Sequence, residues 1–358
     1  MSEHPFRVGV VGANAQRAWA HDAHIPALKR LPGFTLAAVS ARNQQLADEA
    51  AAAFGAPRAF GDSLALVRDP EIDIVAVTVK VPEHRAVVLA ALEAGKHVYC
   101  EWPLGRDLAE AREMAAAVTP KNHVMSGTQA VLAPAVRQAA KLVREGALGA
   151  LKVLRVFSPT AGWGAEAPPH YAYLQDKRNG ATLETIAGGH TLAAIEAIVG
   201  PYAEVDARNS TLLPTVRIMG SDERVARTCA DHMLVLGKHD SGCVSTLEVV
   251  GGTPATLFNL ELVGETGSLK ITGGHAGGFQ VGSLKLETSF PSEAPEPELL
   301  SDVKGAPLNV AECYTRFAAD IRSDVRTVPD FNDAVRLTRL LDQIEAASQT
   351  GRRQRLES

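Results

Sequence analysis

This sequence predicts an α/β protein: an N-terminal doubly wound domain on a parallel sheet, joined to a C-terminal α+β domain with a large, mostly antiparallel sheet. Three observations predict it. From Phe6 to about Val124, apolar runs of strand length alternate with helical patterns. The first run ends at Gly12, in a strand-to-helix turn. From about Leu151 to Leu286 the runs lengthen and alternate apolar with polar positions, as in strands with one solvated face.

In the N-terminal part the expected strands are RVGVVG, TLAAVS, IDIVAVTV, HVYCEW and HVMSGT. They are rich in Val, Ala and Ile with little polar alternation, as when helices cover both sheet faces. HIPALKRL, NQQLADEAAAAFG, SLALVRD, EHRAVVLAALEAG and DLAEAREMAAAV are the expected helices, with Gly55 and Gly95 at helix C-caps. A further helix, APAVRQAAKLVREGALG, leads into the C-terminal part. Its expected strands are LKVLRVFS, AEVDARNSTL, DHMLVLGKH, GCVSTLEVV, LFNLELVGETGSLKIT and FQVGSLKLE, with hairpin turns at KHDSG and Gly264-Glu265-Thr266-Gly267. A Pro- and acid-rich surface loop precedes two closing helices, NVAECYTRFAADIRS and FNDAVRLTRLLDQIEAASQTG. The expected division is residues 1–124 and 125–358, both closing helices in the second domain.

Hydrophobic residues make up 46% and charged residues 22%, ordinary for a globular chain, and the net charge is −5. No basic stripe appears, which argues against direct nucleic-acid binding. No apolar stretch is long enough for a bilayer, so no membrane partner is expected. Cys100, Cys229, Cys243 and Cys313 are not in CxxC spacing, and His21 and His24 have no acidic or Cys set at metal spacing, so no metal is expected. Buried free thiols and the absence of a leader pattern place the protein in the cytoplasm as an expectation.

A dinucleotide site is expected at the first turn. Gly12-Ala13-Asn14-Ala15-Gln16-Arg17 follows the first strand and is read as opening a helix. Only Gly12 fits the three-glycine fingerprint. Asn14 is the next best residue for unusual backbone angles, and Arg17 has the reach to meet a phosphate. At the end of the second strand, Ser40-Ala41-Arg42 has no acid for a ribose 2′-hydroxyl. Ser40 and Arg42 instead suit a 2′-phosphate, so NADP is expected in preference to NAD; Arg42 as a solvated residue at a helix start is the alternative. Thr78, Val79 and Lys80 end the strand IDIVAVTV, at the carboxyl edge where ligands bind. Lys80 is a candidate to hold a substrate oxygen or a phosphate, or is a solvated loop lysine.

Over nearly its whole length the chain resembles the glucose–fructose oxidoreductase, inositol dehydrogenase and MocA (GFO/IDH/MocA) family. RVGVVGANA, AALEAGKHVYCEWPLG, APAVRQAAKLVREGALG and YTRFAADIRS carry the resemblance. It implies a Rossmann domain plus a domain with a large open sheet, an NAD(P)-dependent oxidoreductase of a sugar, polyol or sugar derivative, and a homodimer or homotetramer. It also implies Glu-Lys-Pro at the end of the strand HVYCEW, the Lys moving the hydroxyl proton. Here the segment is Glu101-Trp102-Pro103, and an indole exchanges no proton near neutral pH. The family's acid four residues before its helix-start His is Ile186 here, and the position three after is Ala193, so His190 stands alone as a base or as a histidine kept by the fold. By the same resemblance Glu101 positions ribose or nicotinamide groups and His84 is mainly structural at the nucleotide side; Gln129, at the end of the strand HVMSGTQ, faces the same cleft.

Trp102 is either a platform for the nicotinamide or a core residue at the strand–loop junction. Trp163, Tyr171 and Tyr173 are substrate candidates, since aromatic rings suit apolar sugar faces; loop packing is the alternative. GWGAEAPPHYAYLQDKRNGATLETIAGGHT and CEWPL also resemble the family's branch of yeast galactose-pathway regulators. That branch implies a second function: a non-catalytic dinucleotide-binding sensor that docks a regulatory protein partner.

Overall fold

The computed structural model describes residues 4–254 and 257–356. Its first strands are β1 (Phe6–Val11), β2 (Phe34–Ser40), β3 (Ala59–Phe60), β4 (Ile74–Val77), β5 (His97–Glu101) and β6 (Val124–Gly127). They form one sheet in the order β3-β2-β1-β4-β5-β6, with every pairing parallel. Between them run α1 (Ile25–Arg30), α2 (Gln44–Phe54), α3 (Ser63–Arg68), α4 (Val81–Glu93) and α5 (Leu108–Ala116). Short polar side chains start the helices. Asn43 accepts from the Leu46 N–H, Asp62 from Leu64 and Asp107 from Glu110. Gly55 ends α2 at φ 72°, which favours a residue without Cβ.

After α6 (Pro134–Arg144) come β7 (Leu151–Pro159), β8 (Glu166–Ala167), α7 (Gly189–Val199), β9 (Tyr202–Ser210), β10 (Thr215–Ile218), β11 (Arg224–Ala226), β12 (His232–His239), β13 (Val244–Val250), β14 (Phe258–Gly264), β15 (Ser268–Gly273) and β16 (Leu284–Thr288). The chain ends through α8 (Pro307–Ser323), α9 (Phe331–Thr350) and β17 (Gln354–Arg355). An eight-stranded sheet runs β16-β15-β14-β7-β13-β12-β9-β17, antiparallel except for β7 beside β13. A small sheet, β11-β10-β8, stands apart.

The fold class is the one expected: a parallel Rossmann sheet, then a mixed, largely antiparallel one. Its two compact units divide elsewhere than at residue 124. One comprises Met1–Gly127 and Leu299–Val335; the other comprises Thr128–Glu298 and Arg336–Ser358. In the first unit α8 packs on α1 and β6, the Ser126 N–H donates to the Pro329 carbonyl at 2.8 Å, and Tyr314 and Phe317 are fully buried. Burial of a ring such as Phe317 contributes about 2–3 kcal/mol, enough to hold the helix to this unit.

In the second unit β12 alternates strictly. Met233 and Val235 are buried with Leu247, Val249, Leu260 and Leu262, while Leu234 and Leu236 are exposed on the other face. α6 packs on α7 and against β15 and β16. Two expected strands are shortened: Phe279–Val281 of FQVGSLKLE is a 3-10 turn before β16, and AEVDARNSTL is strand only to Ser210. The helix expected from Gly12 also starts later. Residues 15–18 are bends, a π-turn covers Ala20–His24, and α1 follows.

Candidate functional site

Gly12 sits at the end of β1 with φ 96°, and a Cβ there would lie 2.9 Å from Val79 Cγ1 and 3.0 Å from the Val79 nitrogen. The turn therefore needs glycine for conformation and for space. The Gly12 and Ala13 N–H groups both donate to the Ser40 carbonyl, at 3.1 and 2.9 Å. Asn14 Oδ1 accepts from the Gln16 and Arg17 N–H groups at 3.0 and 3.1 Å, a side-chain-built turn where a fingerprint would have its second glycine. Ala18 completes the turn at φ 86°. The N–H groups of Asn14 and Ala15 have no acceptor among the described residues. A tight glycine cradle with open main-chain donors fits a pyrophosphate, held by the loop and not by a helix end.

Arg42 is exposed beyond β2, with Arg17 and Gln16 also exposed in the first turn. Ser40 corrects the expectation. It is fully buried, and its hydroxyl bonds the Ser63 hydroxyl at 3.1 Å, so it presents no donor to a 2′-phosphate. Thr78 is buried and donates to the Val11 carbonyl at 2.7 Å, a tie between β1 and β4; Val79 walls Gly12, and Lys80 is exposed at the start of α4.

His84 is a buried link. One ring nitrogen faces the Pro103 and Leu104 carbonyls at 3.0 and 3.2 Å, and the other faces the Val79 carbonyl at 3.0 Å. It joins the turns after β4 and β5, and burial lowers its pKa. It is thus a structural residue and not a direct cofactor contact. Trp102, before the cis peptide to Pro103, is 5% exposed, which favours its packing role over an open platform.

Glu101 is the ordered carboxylate of this edge. His24 Nε2 lies 2.9 Å from Glu101 Oε1, and His24 Nδ1 lies 2.8 Å from the Tyr314 hydroxyl. A carboxylate only accepts, so Nε2 donates to Glu101, and Nδ1 faces the Tyr314 hydroxyl. Burial pushes the Tyr314 phenol well above its ordinary pKa, which keeps it a donor. Gly127, at the end of β6, leaves the space: a Cβ there would come within 2.9 Å of Glu101 Oε1. Glu101 Oε2 has no hydrogen-bond partner among the described residues. Sequence reasoning missed this chain, because His24 carries no local signal and Tyr314 lies on a helix assigned to the other domain.

In the second unit, His190 is the second residue of α7, after a π-turn at Glu184–Gly188. It is 3% exposed. Burial lowers its pKa to about 3, and Nδ1 has no hydrogen-bond partner. The imidazole is neutral at pH 7 and a poor proton acceptor as it stands, a correction to the expected base near neutrality. Next to it, Thr191 bonds the Ser158 hydroxyl at 2.9 Å and the Ala187 carbonyl at 2.7 Å, which fixes this turn to the end of β7. Gln129 opens a 3-10 turn, Gln129–Leu132, which packs against α7; it does not end a strand. It is 1% exposed, and its Oε1 is also without a partner. These are two of the buried polar side-chain atoms that lack a hydrogen-bond partner among the described residues.

Trp163 stands in the loop after β7; Tyr171 and Tyr173 lie in the 3-10 segment Pro169–Gln175, with Tyr171 exposed. The four cysteines are free and buried. Among the described residues no group of three His, Cys, Asp or Glu side chains is arranged to hold a metal, and no helix is long and apolar enough to cross a membrane.

Residues 6–128 match the model of the oxidoreductase family with an NAD-binding Rossmann fold (GFO/IDH/MocA). The chain thus carries a GFO/IDH/MocA Rossmann domain. Residues 134–273 match the Gal80p C-terminal domain. Dehydrogenase aclE of Aspergillus oryzae is 29% identical over 360 residues, 97% of this chain and 97% of that protein. A super-repressor mutant of Gal80p from Saccharomyces cerevisiae superposes with a TM-score of 0.85 at 23% identity, over 98% of each chain. Levoglucosan dehydrogenase, solved with NADH and L-sorbose, superposes with a TM-score of 0.80 at 22% identity, over 98% of this chain and 99% of that one. A galactose regulator and a sugar dehydrogenase thus share the fold of this chain.

Proposed function

We propose that the protein is an NAD(P)-dependent oxidoreductase acting on a CH–OH group of a sugar, polyol or sugar derivative. The observation that carries this reading is the pair of buried, unsatisfied polar atoms, His190 Nδ1 and Gln129 Oε1, on packed elements of the second unit. A polyhydroxylated ligand supplies both donors and acceptors, and satisfying buried polar groups is where such sites gain discrimination. The full-length similarity to dehydrogenase aclE supports an enzyme.

When bound, a nicotinamide dinucleotide supplies the hydride acceptor. The residues present would hold it at the Gly12–Arg17 turn, with Glu101 Oε2 open to a ribose hydroxyl or the carboxamide. His190 orients the substrate hydroxyl through hydrogen bonds, and Lys80 holds a substrate oxygen or takes its proton. Trp102 shapes the pocket wall and moves no proton. Arg42 is the candidate for a 2′-phosphate now that the Ser40 hydroxyl is committed to Ser63.

A second reading has its own support. With Trp102 at the family's Lys position and the His190 pKa lowered to about 3, no established base remains, as in a dinucleotide-binding regulator that docks a partner protein. Purified protein screened with NAD+ and NADP+ against sugars, polyols and anhydro sugars separates them. Nicotinamide reduction supports the enzyme; tight nucleotide binding without turnover supports the regulator. Turnover that survives both His190→Ala and Lys80→Ala removes those role assignments. Arg42→Ala is expected to weaken NADP about tenfold or more and NAD little, as loss of a charge-assisted phosphate contact implies. The exposed Leu234, Leu236 and Val244 on one sheet face suit pairing of two copies, which sedimentation equilibrium reads.

A further inference from the structure

Trp163 has φ 59°, a left-handed conformation that costs a residue with a Cβ about 1–2 kcal/mol unless its surroundings impose it. Here they do. The three residues before the ring are stapled to neighbouring segments. The Thr160 and Ala161 N–H groups donate to the Val250 and Ala276 carbonyls at 2.9 Å each, and the Gly162 carbonyl accepts from the Gly252 N–H at 2.6 Å. Two backbones then cross with no room for side chains. A Cβ on Gly252 would stand 2.5 Å from Gly164 Cα, and one on Gly251 would stand 2.9 Å from Trp163 Cβ.

The deepest tie is ionic. Arg227 has a fully buried side chain and reaches three partners: the Gly164 carbonyl at 2.6 Å, Gln175 Oε1 at 2.9 Å and Asp231 Oδ2 at 2.7 Å. Asp231 also accepts from the Leu212 and Leu213 N–H groups at 2.7 and 2.8 Å. One guanidinium thus spans both ends of the aromatic segment, the carbonyl just after Trp163 and the residue that closes the turn bearing Tyr171 and Tyr173. A buried ion pair is weak evidence for stability, since apolar residues of equal volume often serve as well. What it gives that apolar residues do not is direction, a planar fork that fixes two acceptors at once.

We propose that Arg227 is the positioning residue of a carbohydrate-recognition loop, and that Trp163 is its specificity-determining ring, offered to the apolar face of a pyranose or anhydro sugar. The assignment of the ligand class rests on the sugar reading above; the clamp does not.

The test uses the full chain with 5-fluorotryptophan at Trp19, Trp102 and Trp163, the fluorine resonances assigned by single Trp→Phe variants. In Arg227→Lys, which keeps the charge and loses the fork, the Trp163 resonance shifts or broadens while the other two hold. A Trp163 resonance unmoved in this variant overturns the clamp, whatever the ligand. Levoglucosan and L-sorbose are then titrated into the NADH-loaded protein by calorimetry. Arg227→Lys and Trp163→Ala are expected to weaken the better-bound sugar about tenfold, and Trp163→Phe by less than about threefold, with NADH affinity unchanged. Equal losses of sugar and NADH affinity, or a Trp163→Ala protein that binds sugar as the wild type does, overturn the proposal. Wild-type protein that takes up neither sugar overturns the ligand assignment while leaving the fluorine result to decide the clamp.

Discussion

At the scale of single residues, a histidine that no motif announces orders the carboxylate of the nucleotide edge. His24 holds Glu101 from one side and is held by Tyr314 from the other, all within the first unit. His24→Leu removes the donor and leaves a buried carboxylate short of a partner, which costs about 1–3 kcal/mol in stability. It is expected to weaken NADH binding about tenfold by fluorescence titration, whereas Tyr314→Phe loosens it less, because Glu101 keeps its own hydrogen bond. Two other histidines make the fold sensitive to acid. Burial lowers His97 to a pKa of about 4, with the neighbouring His123 adding to the effect, and burial alone lowers His190 to about 3. Both are neutral when folded and take up protons near pH 6.5 when unfolded, so the unfolded state binds more protons below that pH. Stability is therefore expected to be flat for these groups above pH 6.5 and to fall as pH drops from 6.5 through about 4. Urea melts at stepped pH read it, and His97→Gln should flatten part of the slope.

At the scale of elements, the strand-and-helix alternation was plain in the sequence because periodicity is local. Five of the parallel strands are largely buried and read as apolar runs; β12 buries one face and reads as an alternation. What stayed hidden depends on distant partners. β3 has two residues, β8 has two, and β17 pairs with β9 from far along the chain, so no window of sequence holds their signal. The π-turn before α1 was hidden for the same reason, since its geometry answers to the fit of His24. The site was legible by position and not by role. Gly12 and Glu101 fell where expected, whereas the side chains of Ser40 and His84 point to protein partners that the sequence does not display. The β1 turn gives the sharpest element-level expectation. Gly12→Ala forces a Cβ to 2.9 Å from Val79 Cγ1 at φ 96°, and should cost about 1–3 kcal/mol with at least a tenfold loss of NADH affinity, measured by thermal melts and titration.

At the scale of the whole molecule, each compact unit is made from two stretches of chain. The sequence marked a domain change near Val124 because the pattern of strands changes there, but it could not say that α8 belongs with the first unit, since an amphipathic helix fits many surfaces. A fragment ending at Gly127 lacks Tyr314, Phe317 and the Pro329 carbonyl that receives the Ser126 N–H. It is expected to remain partly unfolded by amide exchange, while the same fragment linked to residues 299–335 should protect its sheet; equal protection in both would refute this division. The discontinuity also sets an order of events during synthesis. Glu101 emerges from the ribosome more than two hundred residues before Tyr314. At about 5–20 residues per second, the nascent nucleotide edge waits on the order of ten seconds or longer for the phenol that completes its buried chain. During that interval residues 128–298 of the second unit have already been made, so cofactor capture becomes a late step of maturation and not a template for the first folding events.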